Sequence, residues 1–251
     1  MKKAILHIPH SSTIIPLKNG FTVSDDLLNQ EILKLTDWYT DDLFHSENDI
    51  IIKAEFSRIF CDPERFSDDQ QEVMAQFGMG ALYTKNDNGE TIRKVSTQLR
   101  NQILTDYYWE HHRQLSNAVR SQLHENGKAL IIDCHSFPDI PFNRSLDKSP
   151  NRPDFNIGTD AFHTQPELIE YSQTFFSERG YSVGIDWPYS GSIVPLEFYQ
   201  KEEKVQSIML EVNRKLYLKG LTNEKSDNYL QIKKVVGEFC AGMMKNFNLG
   251  E

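Results

Sequence analysis

Three segments of this chain run from apolar residues into a group that could bind a metal or move a proton. Residues 129–136 read Ala-Leu-Ile-Ile-Asp-Cys-His-Ser, so an apolar stretch delivers Asp133 and His135. Residues 3–8 lead into His7-Ile8-Pro9-His10-Ser11-Ser12. Residues 205–212 form a third stretch, ending Leu210-Glu211-Val212-Asn213-Arg214. Apolar runs of this length suit strands covered on both faces. Titratable groups there cost desolvation energy unless they find partners. A carboxylate inside such a strand, like Glu211, needs a cation or has a raised pKa. Open α/β sheets place their sites at the carboxyl ends of strands.

A fourth segment supplies acids: Thr36-Asp37-Trp38-Tyr39-Thr40-Asp41. With one of these, His10, His135 and Glu211 make two histidines, one carboxylate ligand and a spare glutamate. Two His and a carboxylate are a common catalytic zinc set that leaves a position open to water. The spare Glu can serve as general base on that water. The candidate metal ligands are therefore His10, His135 and Asp37, with Asp41 as the substitute, and the candidate base is Glu211. The competing readings are a capping or loop role for His10, a solvated acidic face for Asp37 and Asp41, and a structural pair between Glu211 and Arg214. His7 reads as a partly buried strand residue. Serine hydrolase chemistry is disfavoured, because no Gly-x-Ser-x-Gly elbow is present.

The elements that must position these groups alternate between strand and helix. Residues 3–8 and 49–52 read as strands, the latter running on toward Phe56. Ser24 is a plausible N-cap for a helix carrying Leu27, Leu28, Ile32, Leu35, Tyr39 and Leu43 at helical spacing. A continuous helix there would put Asp37 and Asp41 on one face. After the second strand, Ser57-Arg58-Ile59-Phe60-Cys61-Asp62-Pro63-Glu64-Arg65-Phe66 sets two arginines among aromatics. Arg58 and Arg65 could grip a substrate carboxylate, since Arg forks bind carboxylates bidentately. Internal pairing, for example Arg58 with Asp62, fits equally. A long helix from Thr97 closes at Gly127 and carries His111 and His112, read as core or surface histidines. Residues 137–153 form an irregular stretch long enough to suggest a site-covering loop. Helices follow over residues 166–179 and 229–247, with a strand at 181–185 between them. This alternation predicts one α/β domain over residues 1–251, a mixed or mostly parallel twisted sheet flanked by helices.

Composition narrows the partners. The net charge of −9 over 251 residues argues against nucleic acid or an anionic membrane surface. An anionic substrate would need local arginines. No apolar run approaches a membrane span, and the N-terminal apolar stretch is too short for a signal peptide. The three cysteines are far apart and fit a reduced compartment, so the chain reads as cytoplasmic.

Taken together, the segments at residues 7–12, 36–41, 57–66, 132–136, 153–159 (Pro-Asp-Phe-Asn-Ile-Gly-Thr) and 210–214 resemble the N-formylglutamate amidohydrolase family. They occur in the family's order and cover most of the chain. The resemblance implies a zinc-exopeptidase-like (phosphorylase/hydrolase-like) α/β fold. It also implies metal ligands at His10, in the Asp37 segment and at His135, with one Zn²⁺ as the expected ion. The expected reaction is hydrolysis of N-formyl-L-glutamate to L-glutamate and formate, a step of histidine degradation. The substrate would be a small anionic N-acyl amino acid, gripped by Arg58, Arg65, Arg214, Asn213 and Ser11. Two alternatives stand beside it: a related zinc hydrolase of another N-acyl amino acid, small peptide or cell-wall amide, and a catalytically silent small-molecule binder of the same fold.

Overall fold

A computed structural model describes residues 3–249 of the chain. Its centre is a six-stranded sheet built from β1 (Ile5–Ile8), β2 (Ile50–Lys53), β3 (Ala129–Phe137), β4 (Phe155–Gly158), β5 (Val183–Ile185) and β6 (Val205–Asn213). The strand order is β2-β1-β3-β6-β4-β5. β2, β1, β3 and β6 pair in parallel, β4 pairs antiparallel to β6, and β4 and β5 are parallel to each other. The sheet is thus mixed and mostly parallel. β3 and β6 are buried at all nine positions. A strand with both faces covered cannot alternate polar with apolar residues, which is why both read as near-continuous hydrophobic runs. Each buried Ile or Leu there contributes roughly 1.5–3 kcal/mol.

The two faces hold different helices. Leu6, Ile8, Ile132, Cys134, Leu210 and Val212 pack with α5 (Pro166–Ser177) and α6 (Tyr229–Leu249), where Phe176 and Phe239 stack at 4.8 Å. Ile5, Ala129, Ile131 and Val205 face Leu115, Ala118 and Val119 of α4 (Trp109–Asn126). Successive residues of a strand point to opposite faces. His7, Asp133, His135 and Glu211 alternate with residues of the first face, so all four project to the side of α4. Among the described residues, no helix is long and apolar enough to cross a membrane.

Three elements depart from the pattern read in the sequence. The helix begun at the Ser24 cap does not continue to Leu43: α1 (Asp25–Leu35) stops, and α2 (Thr40–Leu43) restarts after a break. Thr36 is extended, with ψ 135°, and Tyr39 is left-handed, with φ 64°. Asp37 and Asp41 therefore share no helical face. The long helix from Thr97 consists of α3 (Thr97–Ile103), a π-helical stretch at Leu104–Tyr108 and α4. β4 lies where no strand was expected, because four residues after Pro153 carry too little periodicity to reveal one.

Candidate functional site

Parallel pairing of β1, β3 and β6 brings their carboxyl ends to one edge. His135 stands opposite Glu211, and His7 opposite Asp133. His10 follows β1, and its carbonyl accepts a hydrogen bond from the Asp37 amide at 3.0 Å. That bond docks the break between α1 and α2 onto the strand end. Arg214 fixes the other side: Nη2 donates to Asp37 Oδ1 at 2.7 Å, Nη1 to the Lys34 carbonyl and Nε to Ser136 Oγ. Asp41 is exposed and lies 3.8 Å from Lys53, away from the histidines.

Asp37 Oδ2 lies 3.2 Å from His135 Nδ1 and 3.6 Å from His10 Nδ1. The opposite nitrogen of each ring is claimed by a carboxylate. His135 Nε2 donates to Asp133 Oδ1 at 3.0 Å and approaches Glu64 Oε2 at 3.1 Å. His10 Nε2 donates to Asp62 Oδ1 at 2.9 Å. A carboxylate only accepts, so both Nε2 atoms carry protons, and a neutral ring then turns its Nδ1 lone pair inward. His10 Nδ1 is buried without a hydrogen-bond partner. The ligand atoms of a tetrahedral ion with ~2.1 Å bonds lie about 3.4 Å apart. The two distances to Asp37 bracket that value, and one ligand atom from each of the three residues lies within 4.8 Å of the others. His10, Asp37 and His135 thus fit a divalent ion, with Asp62 and Asp133 orienting the rings from behind.

Charge follows the same geometry. Burial opposes ionisation of Asp37, but the His10 imidazole beside it, the His135 hydrogen bond and the Arg214 charge hold it well below the usual carboxylate range. Asp62 is likewise depressed against its burial, by His10, Arg58 and Arg65. His135 and His10 are raised: burial opposes this, but Glu64 and Asp133 prevail at His135, and Asp62 and Asp37 at His10.

Glu211 differs from these acids. It is buried on β6, and its Oε2 has no hydrogen-bond partner. Burial pushes its carboxyl up to about 7, aided by Asp37 and only partly offset by His135 and Arg214. No ion pair joins it to Arg214, whose guanidinium is spent on Asp37.

A cleft of about 570 Å³ opens over this edge, lined among others by His10, Asp37, His135, Glu211, Arg65 and Arg144. The loop after β3 contributes Phe142, Arg144 and Leu146 to its wall, the covering role suggested by that loop's length. Of the residues expected to hold substrate, Arg58 lines the cleft but forks onto Asp62 at 3.0 Å, and Arg214 is committed to Asp37. Asn213 and Ser11 do not line it. Asn213 is fully buried and donates to the Pro153 carbonyl. Arg65 remains: its Nε is 3.8 Å from Asp62 and has no hydrogen-bond partner.

Sequence reasoning gave Glu64 no role and read His7 only as a strand residue, which it is. Asp62 was readable only as a partner for Arg58, and its bond to His10 spans 52 residues. The visible signal was Asp62 and Glu64 set between two arginines directly after a strand.

The profile of the N-formylglutamate amidohydrolase family matches residues 2–218. The chain belongs to that family. A crystal structure of N-formylglutamate amidohydrolase from Ralstonia eutropha JMP134 superposes with a TM-score of 0.87 at 22% identity, covering 99% of this chain and 96% of that one. A gene product from Agrobacterium tumefaciens follows at 0.69 and 16% identity, covering 98% and 90%. At these identities the likeness is one of fold. No curated protein matches the sequence. Membership of an amidohydrolase family agrees with a site of histidines, carboxylates and a buried, uncommitted glutamate.

Proposed function

We propose that this chain is a zinc-dependent amidohydrolase of N-acyl amino acids, with N-formyl-L-glutamate as its foremost substrate. The observation that carries the reading is the convergence of two Nδ1 atoms on Asp37 Oδ2, with Glu211 on the neighbouring strand. His10, Asp37 and His135 would hold the ion. When bound, the ion supplies Lewis-acid polarisation of the acyl carbonyl and acidifies water. Glu211 takes the proton from the attacking water and delivers it to the leaving amine nitrogen. A carboxyl near 7 suits both halves of that transfer, because a base works best when its pKa lies near the working pH. The C–O bond forms, the C–N bond breaks, and formate and the free amino acid leave. Arg65 supplies a cation for the substrate's α-carboxylate, since its fork is less committed than those of Arg58 and Arg214.

One observation favours a second reading. The cleft is larger than a formyl amino acid requires, and Phe66 and Leu146 at its wall are more than half exposed. A longer N-acyl amino acid or small peptide amide would cover them. Elemental analysis and a substrate screen test both readings. Protein purified without chelator should carry about one zinc per chain, as a single-ion site of this type requires, and should release amine from N-formyl-L-glutamate in a zinc-dependent way. Faster release from longer N-acyl groups would select the second reading. No metal-dependent release from any N-acyl amino acid would sink both.

A further inference from the structure

Four arginines line the cleft, and two are spent on carboxylates of the protein. Arg58 gives Nε and Nη2 to Asp62 Oδ2, and Arg214 gives Nη2 to Asp37 Oδ1. Arg144 is different. Its Nε donates to the Asp87 carbonyl at 3.3 Å, and its Nη1 is buried with no hydrogen-bond partner. Among the described residues, no carboxylate forms an ion pair with it. Leaving a guanidinium partly buried without an anion is unfavourable, so the fold must hold it there.

The holding structure is visible. Asp87 is buried, and its two carboxylate oxygens accept the backbone amides of Asn143 and Arg144 at 3.1 and 3.0 Å. The Asp87 amide in turn donates to Glu31 of α1 at 3.0 Å. Phe142 packs against a cluster containing Ile59, Met74 and Met79. The loop is therefore pinned at Arg144 and at the two residues before it, and the Nε bond to the Asp87 carbonyl ties the guanidinium to the same anchor. Preorganisation of this kind cuts the entropy cost of binding. A planar guanidinium with an unpartnered nitrogen suits a carboxylate. The protein is acidic overall, at −9, so a cation left uncommitted in the cleft stands out.

We infer that Arg144 is the specificity residue that binds the side-chain carboxylate of an acidic N-acyl amino acid. This rests on reading the cleft as an N-acyl amino acid site. Arg65 follows Glu64, whose carboxylate touches His135, so it belongs beside the scissile amide and takes the α-carboxylate. Arg144 comes from a separate segment tied to Asp87, and it takes the second carboxylate. A substrate with two carboxylates thereby meets two arginines that each keep a nitrogen without a hydrogen-bond partner.

The test compares N-formyl-L-glutamate with N-formyl-L-glutamine, which differ by one charge at nearly constant shape. The wild type should prefer the glutamate compound. Arg144→Ala should lower kcat/KM for that compound about 10- to 100-fold, mostly through KM, as for loss of one charge-assisted contact. The preference should then collapse toward one. Arg144→Lys should keep part of it, a rescue that a purely structural role would not give. Equal losses on both compounds, or a wild type indifferent to the charge, would overturn the assignment. Calorimetric binding of L-glutamate and L-glutamine to zinc-loaded protein separates this inference from the catalytic one. A glutamate preference that vanishes in Arg144→Ala without any turnover would leave Arg144 standing and remove the hydrolase reading. Turnover with the preference intact in Arg144→Ala would do the reverse.

Discussion

Two histidine clusters share one edge of the sheet, and their hydrogen bonds set them apart. In the first, His10 and His135 aim Nδ1 at Asp37 while carboxylates hold Nε2. One Nδ1 and the nearby Glu211 Oε2 remain without hydrogen-bond partners. In the second, His7 Nδ1 donates to Asp133 at 2.8 Å, and its Nε2 meets Nε2 of His111 at 2.8 Å. Burial, with His7 and His112 nearby, holds His111 well below its ordinary pKa, so it is neutral and exchanges one hydrogen bond with His7. Both ring nitrogens of His7 are satisfied. His7, Glu64 and Asp133 also lie close enough to hold an ion, but a metal there would have to displace these bonds. Proximity of ligand atoms is therefore a poor guide by itself. Unsatisfied lone pairs converging on one point are a better one, because burying them is unfavourable unless something binds.

The sharpest way to break this contrast is to remove one histidine from each cluster. His135→Ala should reduce bound zinc from about one per chain to near zero and take activity to background, since a three-ligand site does not survive loss of an imidazole. Elemental analysis after dialysis reads the outcome, and full metal content would refute the open-cluster assignment. Glu211→Gln should come next, lowering kcat by about 10²–10⁴ while zinc stays bound, as for loss of a general base. The wild-type rate should also depend on pH through this group. Its carboxyl lies near 7, so kcat should fall on the acid side as the base is protonated and level off above about 7. The residual rate of the Gln variant should lack that limb. An unchanged profile would take Glu211 out of the reaction.

Smaller effects test the residues between the clusters. Asp133→Asn changes the acceptor behind His135 and should weaken zinc binding about 10- to 100-fold, as outer-shell carboxylates do. Competition against a chelator measures it. His111→Leu should do least to the chemistry: zinc and kcat stay near wild type, while stability falls by about 1–3 kcal/mol because His7 loses a buried partner. Denaturant unfolding reads that loss. A drop in kcat as large as that of Asp133→Asn would mean that the closed cluster feeds the open one.

The sequence by itself determined the frame. Apolar runs leading to His135 and Glu211 suited buried strands, because a strand covered on both faces needs so continuous a stretch, and both are strands. The Ser24 cap and the glycine at 127 fixed helix ends through local hydrogen bonds and backbone freedom, and both ends fall where the residues place them. Where Asp37 and Asp41 lie relative to the histidines was not a local matter. It depended on a break in the helix held by the His10 carbonyl and by Arg214, the latter 177 residues away. The same holds for Arg58, whose two readings were separated only when Asp62 and Tyr83 closed around it. Spacing along the chain shows which groups can bind or react. Which lone pairs remain free depends on long-range contacts, and only the tertiary structure decided that.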